Sequence, residues 1–159
     1  MSRQRDPASD AGPRFLHVFG AAGARGVKID RAFRSGDVLC RIPCTTRRER
    51  PTRHTVQVDA ATHVDVGFLS TLNHSCEPNV RLDTSRMLVV AERDIAPGEE
   101  LRYFYPSTEW DMAEPFECRC GSRDCLGLIG GARHLSPEIL RRYFLNPHIG
   151  TLAAQPSPV

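Results

Sequence analysis

Three cysteines within one short stretch, Cys118, Cys120 and Cys125, constrain this chain more than anything else in it. The spacing Cys-x-Cys-x4-Cys lies in a loop with Gly121, Ser122 and Asp124, and it lets three thiolates converge on one small cation. A loop so rich in glycine and thiols has little other means of ordering itself. A closed structural zinc site takes four ligands in a tetrahedron, with Zn–S distances of about 2.3 Å, so one more thiolate or imidazole must come from elsewhere. Cys76, His74, Cys40 and Cys44 are the candidates. Cys76 is preferred because it lies in the polar turn Asn73-His74-Ser75-Cys76-Glu77-Pro78-Asn79, where a thiol needs a partner. Cys40 and Cys44 flank a strand end and read as small apolar side chains.

The opening stretch, Met1 to Arg14, has no apolar signal core. That disfavours a disulfide use of the cysteines and gives the expectation of an intracellular protein, cytoplasmic or nuclear. With 159 residues, 40% hydrophobic and 25% charged, the chain suits a single domain around one core. No apolar run approaches the roughly 20 residues that cross a bilayer, so no membrane partner is expected. The net charge is only +2, although twenty of the 21 basic residues are Arg and Lys28 is the single lysine. Such a balance does not support direct nucleic-acid binding. The cluster Arg47, Arg48, Arg50 and Arg53 reads as a solvated loop.

Short apolar or β-branched segments follow one another at Phe15–Phe19, Val27–Ile29, Val38–Ile42, Thr55–Val58 and Met87–Ala91, each bounded by Gly, Pro, Asp or Arg. This is a mainly β pattern, too finely punctuated for parallel βαβ units. Asp94–Glu100 reads as a tight turn feeding a strand, Leu101–Tyr105, that Pro106 ends. The one convincing helix is Pro137–Phe144, with Ser136 as N-cap and proline at the first helical position. Residues after Asn146 read as a tail. The expected organisation is a flexible arm over 1–14, a mainly β domain over 15–105, a zinc loop over 106–130, and a C-terminal helix and tail over 131–159. Gly20, Gly23 and Gly26 are spaced GxxGxxG and do not match a dinucleotide fingerprint.

Together these pieces resemble the SET-domain family of protein lysine methyltransferases. The resemblance runs from about Phe15 to Leu128 and rests on the Asn73–Asn79 string, on Gly98-Glu99-Glu100-Leu101-Arg102-Tyr103-Phe104-Tyr105, and on the cysteine triplet, which looks like the post-SET zinc loop. Ala24-Arg25-Gly26-Val27 is similar to the family's opening Gly-x-Gly-Val. The resemblance implies small curved sheets with a pseudoknot, S-adenosylmethionine as cofactor, and structural zinc held by Cys118, Cys120, Cys125 and Cys76. It further implies that Ala24, Arg25, Gly26, Asn73 and His74 hold the cofactor, that Tyr105 is the catalytic tyrosine, and that a protein or peptide lysine is the substrate. Tyr103 falls at the family's Phe/Tyr switch, where tyrosine favours mono- or dimethylation. Desolvation beside a cationic sulfonium favours the neutral amine, so no dedicated base is expected.

The chain departs from the family pattern at Ala24, where a glycine is usual, at Phe104, where aspartate is usual, and in having no tyrosine before Tyr103. Only 14 residues separate Val58 from Asn73. These departures leave an alternative, a catalytically weak or inactive zinc-stabilised interaction module on the same fold. Trp110 and Phe116 bracket the cysteine loop and are expected to pack it down.

Overall fold

The computed structural model describes residues 13–19 and 24–156. Residues 1–12 of the arm expected over 1–14, and Gly20 and Gly23, lie outside the described residues, while Arg14 at its end is fixed to Asp30 by two hydrogen bonds through its backbone.

Alternating apolar and polar side chains make some of the strands, and short continuous apolar runs make others. β1 (Phe15–Phe19) pairs antiparallel with β2 (Arg25–Ile29), Phe15 standing opposite Ile29. Val27 and Ile29 of β2 are wholly buried while Lys28 between them faces outward, as the two-residue period of a strand requires. β3 (Val38–Arg41) opens a second sheet completed later in the chain. β4 (Arg47–Arg48), β5 (Thr55–Gln57) and β6 (His63–Asp65) form a third sheet in the order β4-β6-β5. After a 3-10 turn at Gly67–Thr71 comes β7 (Asn73–His74), then β8 (Val80–Asp83) and β9 (Leu88–Ala91), which complete the order β3-β9-β8. β10 (Arg102–Tyr103) lies parallel to β7, and β11 (Phe116–Glu117) pairs with β12 (Leu128–Ile129). Two short helices, α1 (Pro137–Leu140) and α2 (Pro147–Ala153), end the chain. The mainly β expectation holds.

Among the described residues the largest core joins β2, β5, β6, β8, β9 and β10 through side chains such as Val27, Val64, Val80, Leu82, Val89 and Leu101, all wholly buried. A smaller cluster holds Cys76, Cys118 and Ile129, and a third gathers Ala132, Leu140 and Ile149 with Trp110 against it.

Several expectations need correction. The strand expected over Leu101–Tyr105 stops at Tyr103, because Tyr105–Ser107 turns into a 3-10 helix in which Pro106 supplies a fixed φ. The helix expected over Pro137–Phe144 ends at Leu140, since Tyr143 is drawn off to stack on Phe104. The expected tail after Asn146 is instead α2, with Asn146, His148 and Ile149 buried. Pro147 occupies the start of this helix, where a missing N–H costs nothing. Arg47 and Arg48 form a strand rather than a loop, with Arg48 paired to Asp65 at 3.0 Å. Cys44 is exposed, so of the two thiols read as core only Cys40 packs against apolar neighbours. Phe116 packs on the cysteine cluster as expected, whereas Trp110 packs on the third cluster.

Candidate active site

The site is built where the middle of the chain crosses its later strand. Asn73 and His74 of β7 stand opposite Arg102 and Tyr103 of β10, the Ser75 N–H donates to the Tyr103 carbonyl, and the Asn79 N–H donates to the Arg102 carbonyl. This parallel contact between distant segments is the crossing expected of a pseudoknotted chain. Asn79 reinforces it, its Oδ1 accepting from the Arg102 N–H at 2.8 Å and its Nδ2 donating to the Glu100 carbonyl at 2.8 Å.

Asn73 Nδ2 donates to the Arg25 carbonyl at 2.6 Å and to Glu100 Oε1 at 2.8 Å, and so fastens β2 to the crossing. Gly26, next to Arg25, is buried, while Ala24 and Arg25 are exposed. The buried His74 ring accepts the Tyr105 N–H at Nδ1 (3.1 Å), which leaves the proton on Nε2, 3.3 Å from Cys76 Sγ. Burial pushes the imidazole down to about 4, so it is neutral near neutral pH. Ala24, Arg25 and Gly26 are therefore gathered beside Asn73, and His74 links Tyr105 to the thiol cluster. The amide of Asn73 and the imidazole of His74 are both already engaged by protein partners.

Tyr103 and Tyr105, although no longer on one strand, lie with ring centroids 4.7 Å apart. The Tyr105 hydroxyl donates to the Leu72 carbonyl at 2.6 Å. Its proton is committed there, so the oxygen's lone pairs remain available. Burial first, then the nearby Glu109 and Glu100, pushes the Tyr105 phenol up to about 12; burial likewise raises Tyr103 well above the ordinary phenol value. Both phenols are neutral across the physiological range. They line a narrow cavity of about 40 Å³ together with Val56, Leu69, Leu72, Glu109 and Met112. At about 10–15 Å³ per water-sized occupant, that space takes an ammonium head and little more.

The sulfur atoms of Cys76, Cys118, Cys120 and Cys125 all lie within 4.8 Å of one another. A tetrahedral site with 2.3 Å bonds sets its sulfurs about 3.8 Å apart, and Cys76 and Cys118 are 3.9 Å apart. The donor set and its spacing fit one soft divalent cation, and Cys76 is the fourth thiol while Cys40 and Cys44 stay away from it. Burial raises the Cys118 thiol to about 11; the more exposed Cys120, despite some desolvation, is brought down to about 6 by hydrogen bonds from Cys76, Ser122 and its sister thiols. Such unequal thiols are what a shared cation would equalise by ionising all four.

Some of the site was invisible in the sequence. Tyr143 donates its hydroxyl to the Cys76 carbonyl at 2.8 Å, and its ring stacks on Phe104 with centroids 3.6 Å apart and planes within 7°. Phe104, the departure from the family's aspartate, is thus part of an aromatic clamp on the thiol segment. Glu109 is buried behind the tyrosines, where its Oε1 accepts from the Gln57 N–H at 2.8 Å and the Thr108 hydroxyl at 3.1 Å. Asn146 bonds the Thr84 N–H and the Leu82 and Ser107 carbonyls, and His148 donates to the Thr108 carbonyl at 2.7 Å, holding that turn from behind. The Pro106-Ser107-Thr108-Glu109 run carried no period or spacing signal; nearness to Tyr105 was the one available hint.

The SET domain family matches residues 24–106, just over half of the chain, and the chain belongs to that family. The "Methyltransferase flvH" of Aspergillus flavus is 43% identical over 115 residues, covering 69% of this chain and 65% of that protein. The histone-lysine N-methyltransferase ash1 of Drosophila melanogaster is 42% identical over 66 residues, which is 38% of this chain and 3% of ash1. An H3 lysine-36 specific histone-lysine N-methyltransferase of Aspergillus oryzae is 41% identical over 80 residues, or 46% of this chain and 8% of that protein. This chain thus spans under two thirds of each of these relatives. Among solved structures, the methyltransferase domain of human SETMAR superposes with a TM-score of 0.58 at 19% identity, over 80% of this chain and 61% of that one. KRYPTONITE, solved with mCHH DNA, an H3(1-15) peptide and SAH, superposes with a TM-score of 0.57 at 23% identity, over 72% of this chain and 29% of that one. These two share the fold.

Proposed function

We propose that this chain transfers a methyl group from S-adenosylmethionine to the ε-amine of a protein or peptide lysine, with mono- or dimethyl-lysine as product and zinc on its four clustered thiols. The observation that carries this reading is the narrow cavity ending on two neutral, touching phenols, one of them oriented by the Leu72 carbonyl. Bound S-adenosylmethionine supplies an electrophilic methyl on a sulfonium. The chain's own part is alignment: a narrow, partly apolar cavity limits the water around the amine, and Tyr105 offers lone pairs to the reacting amine and methyl without itself being a nucleophile near neutral pH. Tyr103 narrows the cavity and retains a hydroxyl where a trimethylated head would need room. The backbone of Ala24, Arg25 and Gly26, with Asn73 and His74, is assigned to the cofactor. Cys76, Cys118, Cys120 and Cys125 are assigned to zinc, whose role is to hold the 112–129 segment against Tyr105.

Relatives whose names specify histone H3 lysines make an H3 peptide the first substrate to try, before a peptide array. Calorimetric titration with S-adenosylmethionine should show binding, and transfer should yield mono- or dimethyl-lysine by mass spectrometry. Tyr105→Phe should retain the cofactor and lose roughly 100-fold or more in rate; efficient trimethylation would contradict the role given to Tyr103. One observation favours the inactive-module alternative: Asn73 and His74 spend their side chains on internal bonds that a purely structural fold would also need. Cofactor binding without transfer to any lysine, in the native chain as in the Tyr105 variant, would establish that alternative.

A further inference from the structure

Glu109 is the least expected group in the cavity wall. Only 6% of it is exposed, and none of the ion pairs among the described residues involves it. Oε1 is fixed by the Gln57 N–H and the Thr108 hydroxyl, while Oε2 has no donor among the described residues. The cavity it lines is walled by Val56, Leu69, Leu72, Met112 and the two phenols, with the neutral hydroxyl residues Thr52, Thr55 and Ser70 on the same lining. The titratable groups facing it are Tyr103 and Tyr105, both neutral, with Arg53 and His54 in the cavity lining; His148 reaches the same turn through the Thr108 carbonyl. Arg53 is turned toward Glu114, 3.9 Å away in an exposed pair. A buried carboxylate with no cation is costly, and the two hydrogen bonds to Oε1 offset only part of that cost, leaving Oε2 without a donor among the described residues.

We propose that the Glu109 carboxylate receives the proton of the substrate ammonium as it enters this cavity, making Glu109 the base that readies the amine. This rests on the reading that the substrate is an amine. In the step, an ammonium N–H bond breaks and an O–H bond forms on Oε2, leaving a neutral amine with its lone pair and a neutral carboxylic acid. Opposite charges disappear together, which a desolvated site favours. The proton then leaves to water through the cavity mouth, and the carboxylate is restored. Burial pushes Glu109 up to about 7, so it is both ionised often enough to accept and basic enough to hold a proton near neutral pH. Glu109 thereby gives the amine's proton a named acceptor beside the desolvation that favours the neutral amine.

Glu109→Gln keeps the shape and an oxygen that accepts from Gln57 and Thr108, and removes only the ionisation. In the metal-loaded protein, calorimetric titration with n-butylammonium as a lysine side-chain probe should show affinity reduced at least tenfold by Glu109→Gln, while S-adenosylmethionine affinity stays within twofold. In transfer assays the wild-type pH profile of kcat/KM should bend near 7. The variant should lose that bend and be roughly 100-fold slower at pH 7, with the gap closing as the pH approaches that of free amine. Equal butylammonium affinity in the two proteins, or an unchanged pH profile at near wild-type rate, overturns the proposal. A wild-type protein that transfers no methyl group defeats the methyltransferase reading instead, and the butylammonium titration still decides the role of Glu109.

Discussion

Two regions of this molecule are held together by different means. The strand region around Val27, Val64, Leu82 and Leu101 is an aliphatic core, wholly buried and contributed by segments from β2 to β10. The 112–129 segment has a cluster in which two of the three buried members are cysteines, with Cys120 and Cys125 packed on them. Its β11–β12 ribbon is two residues long on each side, too little to stand alone. One region rests on area removed from water, the other on thiols that a single cation can bind. The two meet at Cys76, which belongs to the strand region by sequence and to the thiol cluster by position.

That difference should be separable by mutation. Cys76→Ser has the largest expected effect: metal content falls from about one equivalent toward zero, and S-adenosylmethionine binding is lost with it, because His74 and Tyr143 both lean on this segment. Amide protection in β2, β8 and β9 should persist; its loss would mean that the two regions are one cooperative unit. Leu101→Ala should do the reverse, lowering global stability by about 3 kcal/mol in chemical denaturation while the native protein keeps its metal equivalent. A further effect, at most equal to that of Leu101→Ala, concerns pH. Glu109 is raised from its ordinary 4.5 to about 7, so the folded state holds a proton that the unfolded state has released between those values. Its contribution is present below about 4.5 and is lost as pH rises through about 7, by up to about 3 kcal/mol if the full difference is expressed. Denaturation midpoints of wild type and Glu109→Gln between pH 5 and 8 should diverge accordingly; parallel curves would show that Glu109 is not raised.

The two regions were also unequally legible. The thiol cluster could be read because metal chemistry demands four donors and the Asn73–Asn79 turn offered a thiol without an apolar reason. β1, β2, β3, β5 and β9 followed from apolar or β-branched segments bounded by turn residues, whereas β8 (Val80–Asp83), which pairs with β9, was not among them. What the sequence hid was long-range and polar. Asn146 looked like the start of a tail, yet its side chain joins Leu82, Thr84 and Ser107, partners 39 to 64 residues away. Tyr143 carried no hint that it would stack on Phe104 and reach Cys76 across 67 residues. Gly131 has φ 108 and sits where an added Cβ would lie 2.5 Å from the Trp110 carbonyl oxygen, a close approach that no local pattern announces. It lets the Ala132 N–H reach the Glu109 carbonyl and so helps to fix the turn bearing the buried acid. Glu109 itself is unremarkable in sequence, because its meaning depends on which neutral and apolar groups the fold sets around it.

The central claim is that a lysine methyl-transfer site is assembled only when the thiol region is bound to metal and docked on the strand region. Stepwise chelation of the zinc-loaded protein, with metal content, far-UV circular dichroism and methyl transfer to lysine followed on the same samples, tests it directly. The account predicts that transfer and metal are lost in parallel, one for one, while the β signal of the strand region remains. Transfer that survives complete removal of the metal, or that is absent at full metal loading, would contradict it.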